Sequence, residues 1–250
     1  MYFKRHWVYN AHHNLQLEIQ MSEERKRSIR SYVLRQGRMT DSQKSSLSEL
    51  YPKYQIPLQG QKIDFQQAFN SSTAKPTVVE IGFGMGQSLA QMAKDNPETQ
   101  YIGIEVHAPG VGRLLHQLET EAITNVRVLH EDAVTILKEH IADHSLSGFQ
   151  IFFPDPWPKK KHHKRRIIQP DFLRLLMTKL QPDGFIHIAT DWQPYAEYIE
   201  EAVAEIPKLK SIADLNRYQQ IVAARPDTRF ENRGKRLGHE ISDIVLMMSS

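Results

Sequence analysis

The chain predicts an α/β fold, a mainly parallel sheet with helices on both faces behind an N-terminal extension. Three observations carry this prediction. Short apolar runs of strand length alternate with longer segments whose apolar residues recur at helical spacing, the pattern of right-handed βαβ crossovers. A glycine-rich turn, Gly82-Phe83-Gly84-Met85-Gly86, follows the first run. Carboxylates stand at the carboxyl ends of successive runs, where open α/β sheets form their ligand crevice.

In chain order, residues 1–70 have weak periodicity, many polar residues and scattered prolines (Pro52, Pro57), which predicts an extended arm with short helical pieces. Met21 is a second candidate start, with residues 1–20 an upstream addition. The regular domain is expected over 71–250. A buried strand over 78–81 leads into a helix carrying Leu89, Met92 and Ala93. A strand over 101–104 precedes a helix with Val111, Leu114, Leu115, Leu118 and Ala122 on one face. A third strand, 126–129, precedes a helix marked by Val134, Leu137 and Ile141. The fourth strand, 149–153, is followed by a helix over 171–180, a turn at Pro182-Asp183-Gly184 and a strand over 185–189. Tyr195, Tyr198, Ile199, Ala202, Val203 and Ile206 form a further helical stripe, and strands around 218–223 and over 241–248 close the chain.

Composition narrows the function classes. The 250 residues and 40% apolar share suit one α/β domain with an extension, and the absence of cysteine excludes disulfides and thiolate metal sites. No stretch approaches the roughly 20 apolar residues of a spanning helix, and the first residues lack the apolar core of a signal peptide. These features suit a cytoplasmic protein. Net charge is only +3, so location matters more than total. Basic residues concentrate in Arg25 to Arg38, Lys159 to Arg166 and Arg225 to Arg236, whereas Glu197, Glu200, Glu201 and Glu205 gather elsewhere. Such segregation is the mark of a nucleic-acid face.

The glycine turn is preceded by Glu80. Dinucleotide spacing would require glycine where Gln87 stands, and a carboxylate before the loop would repel a pyrophosphate and attract a cation. S-adenosylmethionine, with a sulfonium, an ammonium and no phosphate, fits better. Glu105, about 20 residues further on, is placed to accept ribose hydroxyl protons. Its competing role is a charge at the next helix N-terminus. Asp132 can accept the adenine amino group or cap the helix that starts at Ala133, and the two roles are compatible.

Phe152-Phe153-Pro154-Asp155-Pro156-Trp157-Pro158 then runs into six Lys or Arg residues within the eight positions 159–166. Proline pushes the residue before it toward extended geometry, so Asp155, between two prolines, has little freedom. A carboxylate beside a cationic strip suits a site that holds a polyanion while one base is inspected. A solvated loop is the alternative for any charge run. Trp157 is placed either to stack on a base or to pack the loop, and Phe230 leans toward packing. His162 and His163 lack further ligands at metal spacing, so no metal is expected.

The glycine loop, Glu105 and Asp132 resemble class I S-adenosylmethionine-dependent methyltransferases, whose fold is Rossmann-like. The stretch FFPDPWPKKKHHKRR resembles the bacterial tRNA (guanine-N7)-methyltransferases. Arg30-Ser31-Tyr32-Val33-Leu34-Arg35 with Gly37-Arg38, Thr190-Asp191-Trp192, and Thr228-Arg229-Phe230-Glu231 with Arg233-Gly234 and Leu237-Gly238-His239 agree with that family. The resemblance implies seven strands, the last antiparallel. It implies that Glu80, Gly82, Gly84, Gly86, Glu105, Asp132 and Asp155 contact the cofactor, with Asp155 the catalytic position. Lys159, Asp191, Thr228, Arg229, Phe230 and Glu231 would contact the substrate, and Lys161, His162, His163, Lys164, Arg165 and Arg166 the RNA. The implied reaction moves a methyl group to N7 of the guanine at position 46 of the tRNA variable loop, in a monomer or homodimer without membrane or metal. N7 offers a lone pair and no proton, so no general base is required. A buried carboxylate, Asp155 or Asp191, is expected to temper the charge that develops.

Overall fold

The computed structural model describes residues 31–32, 38–212, 216–226, 231 and 240–249. In chain order the elements are α1 (Asp41–Glu49), α2 (Tyr51–Tyr54), α3 (Phe65–Phe69), β1 (Thr77–Ile81), α4 (Gln87–Asp95), β2 (Gln100–Ile104), α5 (Ala108–Thr120), β3 (Val126–Leu129), α6 (Ala133–Glu139), β4 (Leu146–Phe152), α7 (Pro170–Lys179), β5 (Leu180–Thr190), α8 (Gln193–Ala204), β6 (Leu209–Ser211), α9 (Asn216–Ala223) and β7 (Ser242–Met248), with a 3₁₀ turn at Lys160–Arg165 between β4 and α7. The strands form one seven-stranded sheet in the order β3-β2-β1-β4-β5-β7-β6. Strands β1 to β5 are parallel to one another, and β7 runs antiparallel to both β5 and β6. Strand order reverses between β1 and β4, so the ligand crevice is expected at their carboxyl ends.

Alternation along the central strands builds two cores. Val79, Ile81, Ile102, Ile104, Phe149, Ile151, Ile186 and Ile188 face α6, α7 and α8, where Leu137, Leu176 and Ile199 are fully buried. Val78, Tyr101, Val128, Phe152 and Ala189 face α4 and α5, whose Leu89, Met92, Leu114 and Leu118 close the other side. Burying this apolar area is the main stabilising term, and the period-2 and period-3.6 patterns are its trace in sequence.

The segment before β1 joins these cores. Thr40 and Gln43 form a reciprocal capping box that starts α1. Helix α1 crosses α5 so closely that a Cβ on Gly112 would lie 2.4 Å from the Gln43 carbonyl oxygen. Beyond α2, Gln55 bridges Val128 of the edge strand β3, and Tyr54 and Ile56 are buried. Arg127 of β3 donates to the Ala68 carbonyl (2.7 Å) and stacks on Phe69 at 4.8 Å.

Three expectations are corrected. Residues 218–223 belong to helix α9, because Tyr218, Ile221 and Val222 stand at i, i+3 and i+4 and the tyrosine hydroxyl donates to the Asp243 carbonyl (3.0 Å). The sixth strand is instead β6, three residues long and too short to show a period. Pro182-Asp183-Gly184 does not separate two elements: β5 runs through it, and the jump in pairing from Leu146↔Leu180 to Gly148↔Phe185 absorbs these residues as a bulge.

Candidate active site

The carboxyl ends of β1, β2, β3 and β4 surround a cleft of about 320 Å³. Its wall includes the glycine loop together with Glu80, Glu105, Asp132 and Asp155, so the four acids and three glycines singled out in sequence converge. Ser31 and Tyr32 close it from the N-terminal side. The loop is shaped by positive φ at Gly82 (74°), Gly84 (57°) and Gly86 (74°). Gly86 also admits no Cβ, which would lie 2.7 Å from Leu114 side-chain atoms; a Cβ on Gly110 of α5 would lie 1.9 Å from the Gly84 carbonyl oxygen. Two glycines, one on each element, thus let the loop rest on α5.

Each acid has a distinct environment. Glu80 is 2% exposed; its Oε1 accepts from the Ser88 hydroxyl at 3.4 Å, and its Oε2 has no hydrogen-bond partner among the described residues. Burial pushes its pKa up to about 8, against the Ser88 bond and with a further push from Glu105. A buried carboxylate with an unused oxygen suits a cationic group. Glu105 accepts from the Gly84 amide (2.9 Å) and, through its other oxygen, from the Val106 and His107 amides (2.7 and 2.9 Å). It therefore ties the glycine loop to the segment that leads into α5, while still lining the cleft. Asp132 caps α6 by accepting from the Thr135 amide and hydroxyl at 3.0 and 3.1 Å. Asp155 stands exposed at the rim and Asp191 is half-buried, so neither is the buried carboxylate expected for charge stabilisation.

Strand β4 stops at Phe152, one residue early, because Phe153 turns to φ 51°. Trp157 also sits at φ 45°. Both precede prolines, so the chain bends in the left-handed region where extended geometry was expected. The Phe153 amide donates to the Ala189 carbonyl at 2.8 Å, which keeps the bend against β5.

The basic run divides in two. Lys159, Lys160, Lys161 and Lys164 are exposed. Arg166, grouped by resemblance with the RNA contacts, is 4% exposed. Its guanidinium donates to the Pro156 carbonyl (2.9 Å), meets His163 Nε2 (3.1 Å) and lies 4.9 and 4.5 Å from the rings of Tyr195 and Tyr198. Arg166 thus clamps the proline turn onto α8. Trp157 packs the loop: its indole N–H donates to the Ser31 carbonyl (3.2 Å), with His162 edge-on and Arg165 over the ring at 5.1 Å.

Behind Phe152 and Phe153 lies a polar cluster that the sequence reading missed. The buried His187 Nε2 is 2.7 Å from Asp243 Oδ1. Arg225 forks onto both oxygens of Asp243 at 2.9 Å and also pairs with Glu231. Burial lowers the His187 pKa against its bond to Asp243. Burial would raise Asp243, but the bonds from His187 and Arg225 outweigh it and hold the carboxyl low. The signal was available: one histidine in FIHIAT and one aspartate in SDIVLMM interrupt otherwise apolar strands. Arg225 was read as part of a basic surface segment, yet its side chain is 5% exposed.

The family model described as "Putative methyltransferase" matches residues 74–244. The tRNA (guanine-N(7)-)-methyltransferase of Chromohalobacter salexigens is 48% identical over 221 residues, 88% of this chain and 89% of that protein. The protein of the same name from Alkalilimnicola ehrlichii is 47% identical over 88% of this chain and 92% of its own length. The chain belongs to the tRNA (guanine-N7)-methyltransferase family. Among solved structures, the 16S rRNA methyltransferase KamB superposes with a TM-score of 0.49 at 11% identity, over 76% of this chain and 94% of that one.

Of the residues that family resemblance assigns to substrate, Lys159 is exposed on the turn and Asp191 follows β5, both outside the cleft lining. Glu231 is buried against Arg225, while Thr228, Arg229 and Phe230 lie outside the described residues. Among the described residues no helix is long and apolar enough to cross a membrane, and no group of three or more metal-ligating side chains occurs.

Proposed function

We propose that the cleft binds S-adenosylmethionine and that the chain transfers its methyl group to N7 of guanine in tRNA, at position 46 of the variable loop. One observation carries the reading: the Pro154–Asp155 turn borders the acid-lined cleft on one side and leads directly into the exposed lysines on the other. Membership of the tRNA (guanine-N7)-methyltransferase family supports the reaction class, and the motif resemblance supports position 46.

The cofactor supplies a methyl group on a sulfonium sulfur. Glu80 suits the ammonium, because its buried carboxyl has an unused oxygen. Glu105 retains acceptor capacity for ribose hydroxyls beyond the three amides it holds, and Asp132 Oδ2 is available for the adenine edge. Asp155 at the rim orients the guanine, and the carboxylates around it temper the cationic product. Asp191 and Lys159 flank the base. Lys161, His162, Lys164 and Arg165 hold phosphate without reading sequence, His163 supports the turn, and shape selects the tRNA. A tRNA substrate suits a cytoplasmic protein.

Incubation with methyl-labelled S-adenosylmethionine and unmodified tRNA, followed by mapping of the labelled nucleotide, tests the reading. Label at N7 of the variable-loop guanine is expected. Cofactor binding without label at any guanine N7 would sink it.

A further inference from the structure

The His187–Asp243–Arg225–Glu231 cluster lies directly behind the turn that carries Asp155. Arg225 Cζ is 5.8 Å from the ring centres of both Phe152 and Phe153, and His187 meets Phe152 edge-on at 5.0 Å. Phe153 holds a left-handed backbone conformation that is strained for a bulky residue and persists only where its surroundings over-determine it. Two carboxylates also share one guanidinium here, a buried arrangement that well-packed apolar residues would match or exceed in stability alone.

We propose that Arg225 is a positioning residue for methyl transfer. Clamped between Asp243 and Glu231, its guanidinium forms the floor that fixes Phe152 and Phe153 and so sets the Pro154–Asp155 turn at the cleft. The proposal rests on the reading of that cleft as the methyl-transfer site. Arg225 acts through the phenylalanines and touches neither cofactor nor base. The planar fork is the essential property, because it binds both Asp243 oxygens while its face meets the rings.

Arg225→Lys keeps the charge and removes the fork. Misplacement of a reacting group by about 1 Å can cost on the order of 10²-fold. We expect kcat on tRNA to fall by roughly 30-fold or more, with KM for tRNA and Kd for S-adenosylmethionine within about 3-fold of the parent. Amide exchange at Phe153 should accelerate about 10-fold or more, while peptides from β1 exchange as before. A kcat within about 3-fold of the parent, a loss confined to KM, or unchanged exchange at Phe153 overturns the proposal. Should Arg225→Lys fail to fold, Asp243→Asn, which keeps the shape of the acceptor, decides by the same measurements. Exchange needs no substrate. A parent inactive on tRNA therefore counts against the proposed function, and Phe153 exchange still decides the role of Arg225.

Discussion

Glu80 shows how one buried group sets a pH dependence. With its pKa pushed up from 4.5 to about 8 by burial, it stays protonated in the ligand-free fold while the unfolded chain ionises. Its contribution to stability is therefore full below the unfolded pKa and is lost as pH rises through the folded one. Glu80→Gln should melt progressively higher than the parent between about pH 5 and 8, with the gap level above that window, in thermal scans without ligand. At the same site, a cationic ligand should ionise Glu80, so calorimetry at about pH 6.5 in buffers of different ionisation enthalpy should detect proton release that Glu80→Gln lacks. Asp155→Ala, by contrast, removes an exposed rim carboxylate. It should abolish turnover, leaving the melting temperature within about 2 °C and the tRNA dissociation constant within about 2-fold of the parent. The acids were legible because each stands at or just beyond the carboxyl end of an apolar run. Arg166 was not: within KKKHHKRR it looks like its neighbours, and Tyr195 and Tyr198, from a later helix, draw it inside.

At the scale of elements, the glycine loop and α5 act as one unit. Gly110→Ala would press a methyl group onto the Gly84 carbonyl and displace the loop without touching the sheet. We expect cofactor affinity to drop by about 10-fold or more, measured by titration, with only a small change in melting temperature. The proline turn and α8 form a second unit. Arg166→Ala should destabilise the fold by about 2–4 kcal/mol in denaturant unfolding, since it orphans the Pro156 carbonyl and removes a cation from two tyrosine rings. Long amphipathic helices and buried parallel strands were readable because they repeat one period several times. Segment 218–223 was misread because six residues fit either period, and β6 is shorter than any period. The buried cluster escaped because its members come from β5, the turn after α9, β7 and residue 231, and only the closed sheet brings them together.

Across the whole molecule, the cleft and the exposed lysines share one edge of the domain, so affinity for a polyanion and chemistry on one base are separable. Lys164→Ala with Arg165→Ala should weaken tRNA binding and reduce the slope of log affinity against log salt by about 1–2, with affinity for S-adenosylmethionine unchanged in the same titrations. The α/β class with its mainly parallel sheet was legible from periodicity. The part played by residues 41–69 was harder to see, because only Tyr54 and Ile56 among them are deeply apolar-buried and neither repeats. That segment has a consequence for how the chain survives in a crowded solution. A sheet has two rims of unpaired amides and carbonyls, and each is a template on which another chain can zip. On one side, Gln55 and the backbone around Ala68 cap β3; on the other, β6 ends the sheet after three residues and carries a lysine. The segment from α2 to α3 is thus also a guard against fibre-like self-association.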